Sequence, residues 1–205
     1  MKTIFCFIIA LFGCAATNAI ASSSEQTEPA PRAVEWTQLQ ALGDNHQSQR
    51  RIADKARTEL ATRLMKRLGD SIAVGGPAAG IEVCSNEAAG IAATVAEANN
   101  VRIGRTSHKL RNPDNGGPAW IAQVVSDRST TTRYFSRPDG ALAVATPIPL
   151  GQMCSQCHGP VADIVPEIKK ALVSRYPQDM ATGFEVGEIR GWFWVEVPAQ
   201  ANTDS

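Results

Sequence analysis

The chain has 205 residues, 43% of them hydrophobic, and its twenty Lys+Arg are balanced by twenty Asp+Glu. That length suits one domain with a sizeable core, and the charge balance offers no basic excess for nucleic acid or an anionic membrane. No stretch approaches the roughly 18 apolar residues that a membrane-spanning helix needs.

The N-terminus speaks to compartment. Met1-Lys2 precedes the apolar run Ile4 to Phe12 and the small-residue tripeptide Ala19-Ile20-Ala21, the pattern of a secretory signal peptide cleaved after Ala21. The expectation is an exported, periplasmic protein with residues 1–21 as signal, 22–47 as a disordered or loosely ordered leader, and 48–200 as a single domain. A competing reading takes Leu11-Phe12-Gly13-Cys14 as a lipoprotein signal with an acylated Cys14, which the bulky Phe12 fits poorly. Cys6 and Cys14 leave with the signal, and Cys84, Cys154 and Cys157 remain. An odd thiol in an oxidising compartment is expected to be paired between chains, reactive, or bound to something.

Ile52, Ala56, Leu60, Leu64 and Leu68 share one face of an amphipathic helix over residues 48–68, which Gly69 is expected to close. The break "VGGPAAG" leads into a second helix over 81–99, whose apolar stripe carries Cys84. A short strand over 101–106 follows, then the turn-rich "KLRNPDNGGP" and a short helix from Pro118 to about Val125. "TTRYFSRPDGALAVATPI" reads as a hairpin about Pro138-Asp139-Gly140. A helix over 164–175 and an aromatic, β-branched strand over 188–197 complete an α+β pattern of helices on a small antiparallel sheet.

Between hairpin and last helix lies "MCSQCHG", residues 153–159. Two thiols one helical turn apart, followed at once by a histidine, form the Cys-x-x-Cys-His arrangement of c-type haem attachment. Cys154 and Cys157 would bond one haem covalently and His158 would ligate its iron. Two other readings compete. A redox dithiol is permitted by Cys154 and Cys157 alone, but leaves His158 unexplained. A structural zinc site needs four ligands from a mature chain with three cysteines and three histidines.

The partner of His158 across the iron decides the chemistry. The candidates are Cys84, His46, His108, Met65, Met153 and Met180. Met153 adjoins the attachment segment, Met65 suits a core, and His46 and His108 sit in polar surroundings that favour solvated side chains. Arg105 and Arg111 are candidates for anchoring a haem propionate through charge-assisted bonds.

Four stretches, "IEVCSNEAAGIA" around Cys84, "RTSHKLRNPDN" from Arg105, "CSQCHG" from Cys154 and "YPQDMATGFEVGEIRG" from Tyr176, resemble in order the single-haem c-type cytochromes with a PAS-like fold. The likeness runs over about residues 55–197, and His108 departs from it by standing where the family has an apolar residue. The resemblance implies a PAS-like antiparallel sheet flanked by helices after a long N-terminal helical segment. It implies one haem c whose axial ligands are His158 and Cys84. Such a protein would sense redox state or a diatomic gas, or pass electrons at low potential to a partner protein, and would be a sensor or carrier more than an enzyme. A peroxidase-type catalyst, with His108 as its acid–base residue, and a thiol–disulfide oxidoreductase using Cys154 and Cys157 are the alternatives.

Overall fold

A computed structural model describes residues 35–199, so the proposed signal peptide and the first part of the leader lie outside the described residues. Among the described residues, regular structure is already present before Ser48. Thr37–Leu39 forms β1, an edge strand paired antiparallel with Arg133–Ser136, β3. Three residues with one intermediate side chain carry too little pattern to be read as a strand, and the neighbouring strand supplies the order.

The chain continues through α1 (Gln47–Asn86), α2 (Ala88–Asn99), β2 (Arg102–Thr106), α3 (Ala122–Ser126), β3, β4 (Leu142–Pro149), α4 (Ser155–His158), α5 (Pro166–Arg175) and β5 (Ile189–Val197). The five strands form one antiparallel sheet in the order β1-β3-β4-β5-β2. Val144 faces Val195 across the central pair, and Val195 faces Ile103 across the next. The chain is α+β, a five-stranded antiparallel sheet flanked by helices after a long N-terminal helix.

That helix does not end at Gly69. It runs on to Gly76, whose φ of +72° breaks it, and Pro77 starts a second limb. A glycine inside a helix costs about 1 kcal/mol without stopping it, whereas the left-handed region is open to glycine at little cost. A second interruption at Glu87 separates Cys84 from α2, so the single helix expected over 81–99 is two pieces.

The pleat sends alternate residues of β4 into two cores. Leu142 and Val144 meet Ala53, Ala56 and Leu60 of α1 and Val95 of α2. Ala143 and Ala145 face Trp192, Phe135, Ile121 and Val124 on the other side. Full burial of Leu60 alone contributes roughly 2 kcal/mol. A third cluster, Ile81, Ile164, Ile168, Leu172 and Tyr176, docks α5 on the second limb of α1. The long connection between β4 and β5 holds the cysteine motif and α5. It is returned to the sheet by Leu150, which bonds Glu188 and Gly187 through its backbone. Among the described residues no helix is long and apolar enough to cross a membrane.

Candidate functional site

α1, one end of the sheet and the β4–β5 connection enclose a cavity of about 320 Å³, within the size range of small-molecule and cofactor pockets. Leu64, Leu68 and Ile72 of α1 line it together with Ile148 and Phe193 of the sheet, and Cys84, Cys154, Cys157 and His158 all border it. Residues 70 apart in sequence thus share one surface. They do so because the bend at Gly76 brings the Cys84 limb against α5, where Arg175 makes a bidentate pair with Glu82 at 2.6 and 2.7 Å.

The placement of Cys84 differs from expectation. Ile81 and Val83 go into the core, while Cys84 keeps exposed surface because it borders the cavity. The surrounding walls still desolvate its sulfur and raise the thiol's pKa, an effect that Arg105 and Arg111 partly offset. Desolvation likewise raises the Cys157 thiol. Among the described residues the three cysteines are free thiols.

Cys154 ends a 3₁₀ turn, and Cys157 and His158 follow in the single turn of α4. The His158 ring is oriented from behind. Its Nδ1 lies 2.7 Å from the Ala181 carbonyl and 3.1 Å from Arg190 Nε. A carbonyl oxygen only accepts, so the shorter contact requires the proton on Nδ1, and Arg190 then stands beside the ring as a charge. Desolvation, followed by Arg190 and Arg111, pushes the imidazole pKa down to about 2. The ring is therefore neutral, with its lone pair on Nε2, the form that binds metals.

Arg111 organises this segment. Its Nε donates to Asp179 at 3.0 Å, and its Nη2 donates to the carbonyls of Cys157 at 2.6 Å and Ala181 at 3.3 Å. The Arg111–Asp179 pair is 10% exposed on each side, and Asp179 also accepts from the Ala181 amide at 2.7 Å. Arg111 is thus committed to the protein. The side chain of Arg105, on the same cavity wall, makes no hydrogen bond or ion pair with any described residue, and desolvation lowers its pKa.

Arg190 joins the wall without having been anticipated. It donates to the Lys109 carbonyl at 3.3 Å and lies over the Phe184 ring, and burial pushes its pKa down to about 10. The available signal was an arginine at the start of an aromatic, β-branched strand, directly before Gly191. A Cβ on Gly191 would stand 2.2 Å from the Thr106 carbonyl, so glycine is what lets β2 approach here.

The cavity also sorts the remaining candidates. Met65 and Met153 line it; His46, His108 and Met180 do not. Met65 is 45% exposed, at the rim and not in the core. His46 is buried, with Nδ1 2.8 Å from Gln49 Oε1. His108 packs edge-on against Phe184 and Trp192, with both ring nitrogens buried and unbonded. Neither histidine is solvated as expected. Among the described residues no three His, Cys, Asp or Glu side chains converge on one ion, and the thiols and imidazole are instead distributed around the cavity.

These features fit a haem held at two thiols. A neutral imidazole with a fixed tautomer, a third thiol, Cys84, on another element and an arginine side chain without a partner among the described residues match the donors such a group requires.

A solved structure, described as the crystal structure of the cyanobacterial heme-protein Tll0287, is similar at 21% identity with a TM-score of 0.45, covering 69% of this chain and 95% of that one. No curated protein matches. Residues 22–198 match the model of the Tll0287-like family, described as Tll0287, and the chain belongs to that family.

Proposed function

We propose that the protein is an exported haemoprotein of PAS-like fold that carries one haem c, held covalently by Cys154 and Cys157. The observation that carries this reading is the meeting of Cys84, Cys154, Cys157 and His158 on one cavity. Membership of the Tll0287-like family supports it.

In this reading His158 gives its Nε2 lone pair to iron, with Nδ1–H held by Ala181. Cys84 gives its sulfur from the second limb of α1, losing its proton on binding, as a coordinating thiol does. Arg111 holds the attachment turn, and Arg105 is the available propionate anchor. The haem would supply a redox-active iron. A thiolate from Cys84 together with the His158 imidazole would donate electron density to such an iron and would favour its ferric state, at low potential. With haem in place, Cys84, which stands outside the attachment turn, would be the residue whose withdrawal makes room in the cavity for a diatomic gas such as carbon monoxide or nitric oxide. The role is redox or gas sensing, or low-potential electron transfer, through a partner protein in the periplasm. The peroxidase alternative needs His108 beside the iron, and His108 does not line the cavity.

Intact-mass analysis of protein expressed with a cytochrome c maturation system tests the reading. Wild type should gain the mass of one haem, and Cys154→Ser/Cys157→Ser should not. An unmodified wild-type mass under conditions that mature a control cytochrome overturns it.

A further inference from the structure

We propose that His108 is a proton-sensitive pin in the clamp that orients His158, closed while its ring is neutral and opened by acid. The clamp is two loops laced together. Met180 donates its amide to the Leu110 carbonyl at 2.9 Å, Lys109 Nζ donates to the Thr182 carbonyl at 3.2 Å, and Arg111 Nη2 donates to the Ala181 carbonyl at 3.3 Å. The second loop in turn holds the attachment turn. The Ala181 carbonyl accepts from His158 Nδ1, and the amides of Gly183 and Phe184 donate to the carbonyls of Gly159 and His158 at 2.8 and 3.0 Å.

His108 belongs to the first loop and packs its ring edge-on against Phe184 of the second, 5.4 Å between ring centres, and against Trp192 of β5 at 6.1 Å. Phe184 and Trp192 are fully buried. Both His108 nitrogens are buried as well, and neither bonds a described residue. A neutral ring can sit there as a mostly apolar body, whereas a protonated one carries a charge and two N–H donors with no acceptor to take them. The surrounding charges offer little help. Arg128 after α3, Lys109 on the same loop and Arg190 of β5 are cations, and Glu188 is the carboxylate that acts on the ring; Asp179 of the second loop is committed to Arg111. Desolvation, then Arg128 and Lys109, hold the imidazole pKa below its usual value. An open clamp, in which the ring reaches water, binds a proton near pH 6.5, while the closed one resists it. The advantage of the closed form is therefore complete above about pH 6.5 and declines as pH falls below it.

The two loops and the pin belong to the chain itself, so the proposal stands apart from the haem reading, and any proton uptake by His158 cancels between wild type and a His108 variant in the same haem state. Hydrogen exchange at the Gly183 and Phe184 amides, read by fragmentation mass spectrometry at pH 7 and pH 5 and corrected for intrinsic rates, compares full-length wild type with His108→Leu. Wild type should lose protection at these amides several-fold more than the variant, up to about 25-fold, the limit for one proton bound at the ordinary histidine pKa. An equal loss in the two proteins overturns the pin. A second measurement needs no variant. In the full haem-free chain the His108 Cε1–H resonance, assigned through its contacts to Phe184 and Trp192, should keep its neutral position through pH 6.5, and a midpoint at the ordinary histidine value overturns the proposal.

Discussion

His158 Nδ1 and the Ala181 carbonyl lie 2.7 Å apart, and this contact selects the tautomer that leaves Nε2 as a lone pair. A backbone acceptor cannot ionise or rotate away, so ring orientation is built into the fold of residues 179–184. The Phe184 amide returns a bond to the His158 carbonyl at 3.0 Å.

Acid sensitivity follows from the same ring. His158 has a folded pKa of about 2 against a usual value near 6.5. Between those values the unfolded chain binds the extra proton, so this contribution is complete above about pH 6.5 and is lost as pH falls below it. From pH 7 to pH 5 the reduced, haem-free chain should lose on the order of 1–2 kcal/mol through this residue. Urea midpoints of wild type and His158→Gln at both pH values measure it, and the variant should show a smaller drop.

Arg111→Ala should destabilise the protein by about 3 kcal/mol or more, because it leaves Asp179 buried without its cation. It also frees the Cys157 carbonyl, so covalent haem per chain should fall. Urea unfolding and the haem-to-protein ratio check the two effects separately.

Two glycine substitutions should act in opposite directions. Gly191→Ala forces a Cβ to 2.2 Å from the Thr106 carbonyl and should cost about 2 kcal/mol or more. Gly69→Ala meets nothing within 4 Å in a helix interior and should stabilise by about 0.5–1 kcal/mol. Thermal melts of both variants test the pair.

Much of the architecture was legible because local pattern and fold agree. The Val101–Thr106 strand, the Pro138–Gly140 hairpin and the aromatic last strand appear within a residue or two of their expected limits. Gly69 misled because a glycine stops a helix through its backbone angle, and sequence does not reveal which of Gly69, Gly75 and Gly76 takes the positive φ. β1 was hidden because its order comes from β3. At the site, the motif singled out Cys154, Cys157 and His158 as candidates by spacing alone, and all three border the cavity. The cavity placement of Cys84, the commitment of Arg111 and the presence of Arg190 depend on contacts 30 to 70 residues away in the chain.

His108 offers a control. It lies off the cavity wall with two buried, unbonded nitrogens, and desolvation lowers its pKa. His108→Leu should therefore leave the haem absorption spectrum unchanged and leave stability equal or higher, since it removes unpaired polar atoms. A displaced Soret band would show that His108 acts on the iron.

Cys84→Ala should keep haem covalently attached through Cys154 and Cys157, change its ferric spectrum and raise its midpoint potential, since a thiolate that favours ferric iron is lost. Intact mass and a spectroelectrochemical titration read both parts.

The central claim, one iron held between His158 and Cys84, is tested most directly by the electron paramagnetic resonance spectrum of the ferric wild-type holoprotein. The account predicts a low-spin signal of thiolate character. A five-coordinate high-spin signal, or a low-spin signal of bis-nitrogen or nitrogen–thioether type, would contradict it.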